Sequence, residues 1–133
     1  MHEYGLVEDL LEHAREVARA EGITTVRAIR IELGDLSDLS REAVETAFRA
    51  LARGSEFAET SLEIVEVPGR LHCDACGLEG SPVDLGSEEP RPPPPWMCPG
   101  CGYLMRAVEG QGLRLASLLA HVPDDSHVEV TAR

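Results

Sequence analysis

Four cysteines constrain this chain more than any other feature, because they come as two matched pairs, Cys73-Asp74-Ala75-Cys76 and Cys98-Pro99-Gly100-Cys101. A Cys-x-x-Cys knuckle turns the backbone tightly enough for both sulfurs to reach one ion. Gly77 and Gly102 follow directly, where the turn calls for a positive φ. Two knuckles supply four thiolates, the tetrahedral set that Zn²⁺ accepts in a structural site. The spacing therefore predicts zinc on Cys73, Cys76, Cys98 and Cys101. Such a site has no open coordination position, which makes it a brace and not a place for chemistry.

Other uses of four cysteines fit less well. Disulfides suit secreted chains, and no apolar signal segment opens this sequence. A redox dithiol needs one pair, not two. Iron in a rubredoxin-like site uses the same four sulfurs, and the sequence leaves that alternative open.

Charge narrows the partners. Twenty-four acidic residues against twelve arginines and no lysine give a formal net charge of -12. That surface repels phosphate backbones, so nucleic acid is not an expected partner. No stretch approaches the roughly 20 apolar residues of a membrane span, and the expectation is a cytoplasmic protein. With few aromatic residues (Tyr4, Phe48, Phe57, Trp96 and Tyr103) the core must be largely aliphatic.

The pattern along the chain is mixed α/β. Leu6, Val7, Leu10, Leu11, Ala14, Val17 and Ala18 recur at helical spacing, and Gly22 stands where a helix would end. Val26 to Leu33 alternates as a strand, followed by a polar turn over residues 34–39. Ser40 reads as the N-cap of a second helix presenting Val44, Ala47, Phe48 and Leu51, closed by Gly54. Leu62 to Val67 is a second strand and Leu113 to Leu119 a third. The expectation is a small three-stranded sheet with two helices, plus an inserted four-cysteine, zinc-ribbon-like module. Residues 1–69 and 107–120 would form the α/β domain, 70–106 the zinc module and 121–133 a mobile tail. The proline run within residues 87–95 reads as a stiff exposed spacer, with Trp96 and Met97 covering the metal cluster. His72, beside Cys73, reads as an outer neighbour of the metal, not a ligand.

Met1-His2-Glu3 is a short signal with its own chemistry. A free α-amine, an adjacent imidazole and backbone amides can wrap one cation in fused chelate rings, and Ni²⁺ and Cu²⁺ favour tetragonal nitrogen sites of this kind. A bulky second residue disfavours removal of Met1, which keeps that register.

These pieces together resemble the HypA/HybF family: Met1-His2-Glu3 opening an amphipathic helix, the stretch Arg30-Ile31-Glu32-Leu33-Gly34-Asp35-Leu36-Ser37, the helix with Phe48, the paired knuckles and Gly112-Leu113-Arg114-Leu115. The similarity runs from residue 1 to about residue 119. It implies a metallochaperone that delivers nickel during maturation of NiFe hydrogenase and, in some organisms, urease. It implies nickel ligands from Met1, His2 and Glu3, and structural zinc on the four cysteines. The implied partners are a HypB-type nickel GTPase and the hydrogenase large subunit, with monomer or homodimer left open. A zinc-ribbon adaptor that binds proteins without carrying nickel is the competing reading. No nucleophile–base set, paired catalytic carboxylates or phosphate loop suggests an enzyme.

Overall fold

The structure, a computed structural model, describes residues 2–121 and 127–132, apart from the side chains of residues 2, 121 and 127. The chain divides into two compact units, one of residues 1–32, 39–65 and 113–133, the other of residues 33–38 and 66–112.

The first unit begins with α1 (His2–Ala20). Its apolar stripe is buried at Val7, Leu10, Leu11, Ala14 and Ala18. Gly22, at φ 69°, ends it: the Gly22 and Ile23 amides donate to the Arg19 and Ala18 carbonyls, the paired bonds of a Schellman cap. α2 (Arg41–Ala52) starts where the Ser40 hydroxyl accepts from the Ala43 amide at 3.1 Å, with Glu42 in its first turn. It buries Val44, Ala47, Phe48 and Ala52. The helices pack on each other and α1 packs on a late strand, β7 (Leu113–His121). Arg15 of α1 lies over the Phe57 ring and donates to Glu56 at 2.7 Å, tying the helix to the segment after α2.

Four strands make the sheet of this part of the chain. β1 (Val26–Gly34), β2 (Ser61–Val67), β7 and β8 (His127–Thr131) lie in the order β2-β1-β7-β8. The expected three strands are thus one too few, and residues 127–131 of the expected mobile tail form an antiparallel partner of β7. Val128, Glu129, Val130 and Thr131 do alternate, but four residues behind Pro123-Asp124-Asp125 are too short a run for periodicity to separate from coil. Residues 122–126 of that tail fall outside the described residues.

In the second unit, β3 (Arg70–His72), β4 (Glu79–Gly80), β5 (Trp96–Met97) and β6 (Leu104–Glu109) form an antiparallel sheet in the order β4-β3-β6-β5. Residues 33–38, which include most of the polar turn expected over residues 34–39, belong here: Leu36 is buried with Leu71, Cys73, Cys98 and Met105. Backbone bonds clasp this turn: the Gly34, Asp35 and Leu36 amides donate to the carbonyls of Gly112, Val67 and Gly110 at 2.9, 2.9 and 2.7 Å. Three glycines make the close approach feasible. A Cβ at Gly34 would sit 2.2 Å from the Gly110 carbonyl carbon, and one at Gly69 would meet Leu36 at 2.3 Å. At Gly110, with φ 80°, a Cβ would stand 2.6 Å from the Gly69 Cα.

Gly110→Ala combines left-handed strain with a backbone clash and is expected to cost at least about 2 kcal/mol. Gly112→Ala has the same positive φ but open space around it, and should cost no more than about 1 kcal/mol. Urea unfolding of both variants, followed by circular dichroism, measures the gap; equal midpoints would show that the clasp yields.

Candidate metal centre

Each knuckle is built by the same backbone bonds. In the first, the Gly77 amide donates to the Cys73 carbonyl and the Cys73 amide to the Leu78 carbonyl, both at 2.8 Å. In the second, Gly102 donates to Cys98 at 2.9 Å and Cys98 to Tyr103 at 2.7 Å. The glycines close these turns at φ 81° and 82°, a conformation that strains residues with a Cβ. β3 delivers Cys73 and β5 delivers Cys98, and β6 lies between these strands, pairing with both. Sheet pairing, not chain proximity, therefore joins the two knuckles.

The four sulfurs lie within 4.8 Å of one another. Cys73 and Cys101 are 3.5 Å apart, Cys76 and Cys98 3.6 Å. A tetrahedral zinc–thiolate site with bonds near 2.3 Å has sulfur–sulfur edges of about 3.8 Å, so the set fits such an ion closely. All four are free cysteines, and the shortest sulfur contacts run between the knuckles. Cys73 and Cys98 are buried, Cys76 and Cys101 exposed. Leu36, Leu71 and Met105 pack with the buried pair, supported by Leu78, Leu85, Trp96 and Ala107.

The electrostatics say what the cluster lacks by itself. Burial works against the Cys98 thiolate, but the backbone amides of Cys101 and Gly100 and the neighbouring thiols outweigh it and bring Cys98 down to about 7. The Tyr103 amide favours the Cys101 thiolate, yet burial and the three neighbouring sulfurs push Cys101 up to about 12. Cys76 is likewise held above the ordinary thiol value: the Leu78 backbone bond favours its thiolate, but the Cys98 contact and burial outweigh it. The Cys98 thiolate forms readily, while those of Cys76 and Cys101 resist. A divalent cation reverses that resistance by giving every thiolate an opposite charge.

The surroundings are charged, and the charged groups pair with one another. His72 Nδ1 lies 2.8 Å from Glu79, and its Nε2 is 3.4 Å from Asp74. Arg106 donates to Asp74 and holds that carboxyl below its usual range. Arg70 does the same for Glu79, with His72 adding to it. Trp96 packs against the cluster's core and donates its indole N–H to the Pro92 carbonyl at 3.0 Å. Met97 does not cover the cluster as expected: it is 60% exposed, because alternation along β5 turns it opposite to Trp96. The proline stretch is largely exposed, as expected, and is tied at two points: the Pro92 carbonyl accepts from Trp96 and Arg91 donates to the Asp35 carbonyl. Leu36 and Met105 were not foreseen as part of this centre; the apolar Leu36 and Leu39 inside a polar turn were the signal available.

At the other candidate site the backbone of His2 opens α1 and Glu3 stands half-buried in its first turn. Met1 and the His2 side chain fall outside the described residues.

A family model described as "Hydrogenase/urease nickel incorporation, metallochaperone, hypA" matches residues 1–120. A hydrogenase maturation factor HypA from Geobacter metallireducens is 37% identical over 119 residues, 89% of this chain and 97% of that protein. The corresponding factor from Azotobacter vinelandii is 33% identical over the same shares. Among solved structures, the solution structure of the Ni metallochaperone HypA from Helicobacter pylori superposes with a TM-score of 0.64, at 22% identity, over 87% of this chain and 94% of that one.

Metal uptake by the metal-free chain should release at least about two protons near neutral pH, since every ligand would bind as thiolate and Cys76 and Cys101 are held above the ordinary thiol value. Affinity should fall as pH falls. Zinc titration in buffers of different ionisation enthalpy counts the protons, and release of none would remove the four-thiolate assignment. Cys76→Ser should abolish stoichiometric retention of the ion while the helical signal of α1 and α2 persists.

Proposed function

Because the chain belongs to the HypA family of hydrogenase/urease nickel-incorporation metallochaperones, we propose that it carries Ni²⁺ on its first three residues and hands it over during maturation of NiFe hydrogenase. The ligands are the Met1 α-amine, the His2 imidazole and backbone amide nitrogens of His2 and Glu3. The four cysteines hold a structural zinc. The receiving partners are a HypB-type nickel GTPase and the hydrogenase large subunit, and any GTP used in delivery is hydrolysed by the partner. The protein itself binds and releases an ion without breaking covalent bonds, and its place is the cytoplasm. No described helix is long and apolar enough to cross a membrane.

The observation that carries this reading is where α1 begins. With His2 as the first helical residue, the amides of His2 and Glu3 fall in the first turn, where an N–H has no acceptor within the helix. They can therefore be given up to a metal without breaking the helical ladder. The positive end of the helix dipole would oppose a bare cation there. It does not oppose Ni²⁺ that displaces two amide protons, because the complex then adds no net charge. Protons compete for each of these nitrogens, so the ion is held at neutral pH and loosened by acid. A carrier needs that kind of reversible grip.

A protein-contact role for the zinc unit is favoured by one feature. Met97, Tyr103 and Leu104 are each at least 60% exposed around the second knuckle, and Met97 and Leu104 face each other across β5 and β6. Exposed apolar side chains on a rigid, metal-braced turn suit a docking platform.

The absence of lysine makes the nickel site testable without mutation, since the Met1 α-amine is the one primary amine in the chain. Acetylation with an amine-selective ester should abolish nickel binding and leave zinc content unchanged, and bound nickel should protect the amine from the reagent. His2→Ala should weaken nickel binding about a hundredfold or more. Between about pH 8 and 6, where amine and imidazole take up protons, the affinity should fall steeply. Unaltered nickel affinity after complete acetylation would sink this ligand set, and absence of nickel binding by the untreated chain would leave the adaptor reading in its place.

A further inference from the structure

The two sides of the first sheet are finished differently. β2 carries Glu63 and Glu66 within seven residues and runs directly into Pro68; charge and proline both discourage an edge strand from pairing with a stranger. The opposite side, without β8, would be β7. Residues 115–120 of β7, Leu-Ala-Ser-Leu-Leu-Ala, contain no charge, proline or glycine. A bare strand of this composition offers an open row of N–H and C=O groups with nothing to repel a neighbour.

β8 occupies that row. Five pairs run in register from Ser117↔Thr131 to His121↔His127. The Ala132 amide donates to the Ala116 carbonyl at 2.8 Å, which sets the phase of the ladder. By antiparallel alternation the amides of Val128 and Val130 then face β7. Glu129 fixes the register from its side chain: its carboxylate is 2.6 Å from Arg30 of β1 and accepts from the Ser117 hydroxyl at 2.8 Å. Arg30 also lies 3.7 Å from Glu63 of β2, so one guanidinium links three strands. The new outermost strand thereby has an acid at its centre. This segment lies past residue 120, where the family match stops. The Geobacter relative has 97% of its length used up by the alignment, which leaves few residues for a counterpart.

We propose that residues 127–131 are an appended edge guard, and that the β7 edge beneath them is self-complementary, pairing antiparallel with β7 of a second copy of this chain when uncovered. Antiparallel pairing of a strand with its own copy is isologous, so one contact satisfies both open edges and closes the assembly at a dimer. The net charge of -12 opposes approach at long range, but physiological salt screens it beyond about 8 Å. At the contact itself, residues 115–120 bring no carboxylate.

The test keeps the full chain. Val130→Pro removes an amide that faces β7 and should release β8. Glu129→Lys sets a cation against Arg30 and removes the acceptor of Ser117. Sedimentation over a wide concentration range at physiological salt should show both variants with a doubled mass relative to the parent chain. Hydrogen exchange should show the Leu118 and Ala120 amides exposed in the dissociated variants and protected again in the dimer. A synthetic peptide of residues 127–132, added in excess, should return the variants to the mass of the parent. Unchanged mass in variants whose β7 amides exchange freely overturns the proposal. Loss of folding in both variants overturns it equally, since a guard is by definition dispensable to the sheet it covers.

Discussion

Mutual repulsion among four sulfurs is the constraint on which the second unit rests. Held within 4.8 Å of one another, they cannot all ionise unaided, as the opposite displacements of Cys98 and Cys101 show. A divalent ion turns the repulsion into four attractive contacts. The apolar packing around the cluster is modest, with Leu36, Leu71 and Met105 as its buried aliphatic members. A sheet whose strands run from two to six residues buries little by itself. In a module this small, binding energy from a metal on the four cysteines would substitute for hydrophobic mass.

The two candidate metal positions answer opposite demands. The cysteine site is closed, with four ligands anchored by paired strands and by backbone bonds repeated in both knuckles. Those features favour retention. His2 and Glu3 stand in the first turn of a helix, where amides are free of ladder bonds. A ligand set there can assemble and come apart while the helix stays intact. On the proposed function, bracing would belong to the sheet and carriage to the helix start.

Much of this was readable from residues alone, for identifiable reasons. The knuckles announce themselves because their geometry is local, four residues and a glycine at a time. α1 and α2 were visible because a 3.6-residue repeat sustained over many residues is hard to produce by accident, and Ser40 and Gly22 mark their ends by backbone chemistry. What escaped was non-local. β8 is five residues long and is made a strand by the edge it covers, not by its own pattern. Leu36 looked like part of a polar turn because its burial depends on Leu71 and Met105, far along the chain. Met97 was assigned to the cluster by its nearness to Cys98, whereas strand alternation sends it outward.

The knuckles share one asymmetry that gives the sulfur cluster a direction. Each contributes one buried sulfur, Cys73 or Cys98, and one exposed, Cys76 or Cys101. Oxidants and competing chelators therefore meet the second cysteine of each knuckle before the first. An ion held there would have Cys73 and Cys98 on its buried side, each directly following a different strand, and Cys76 and Cys101 on its exposed side.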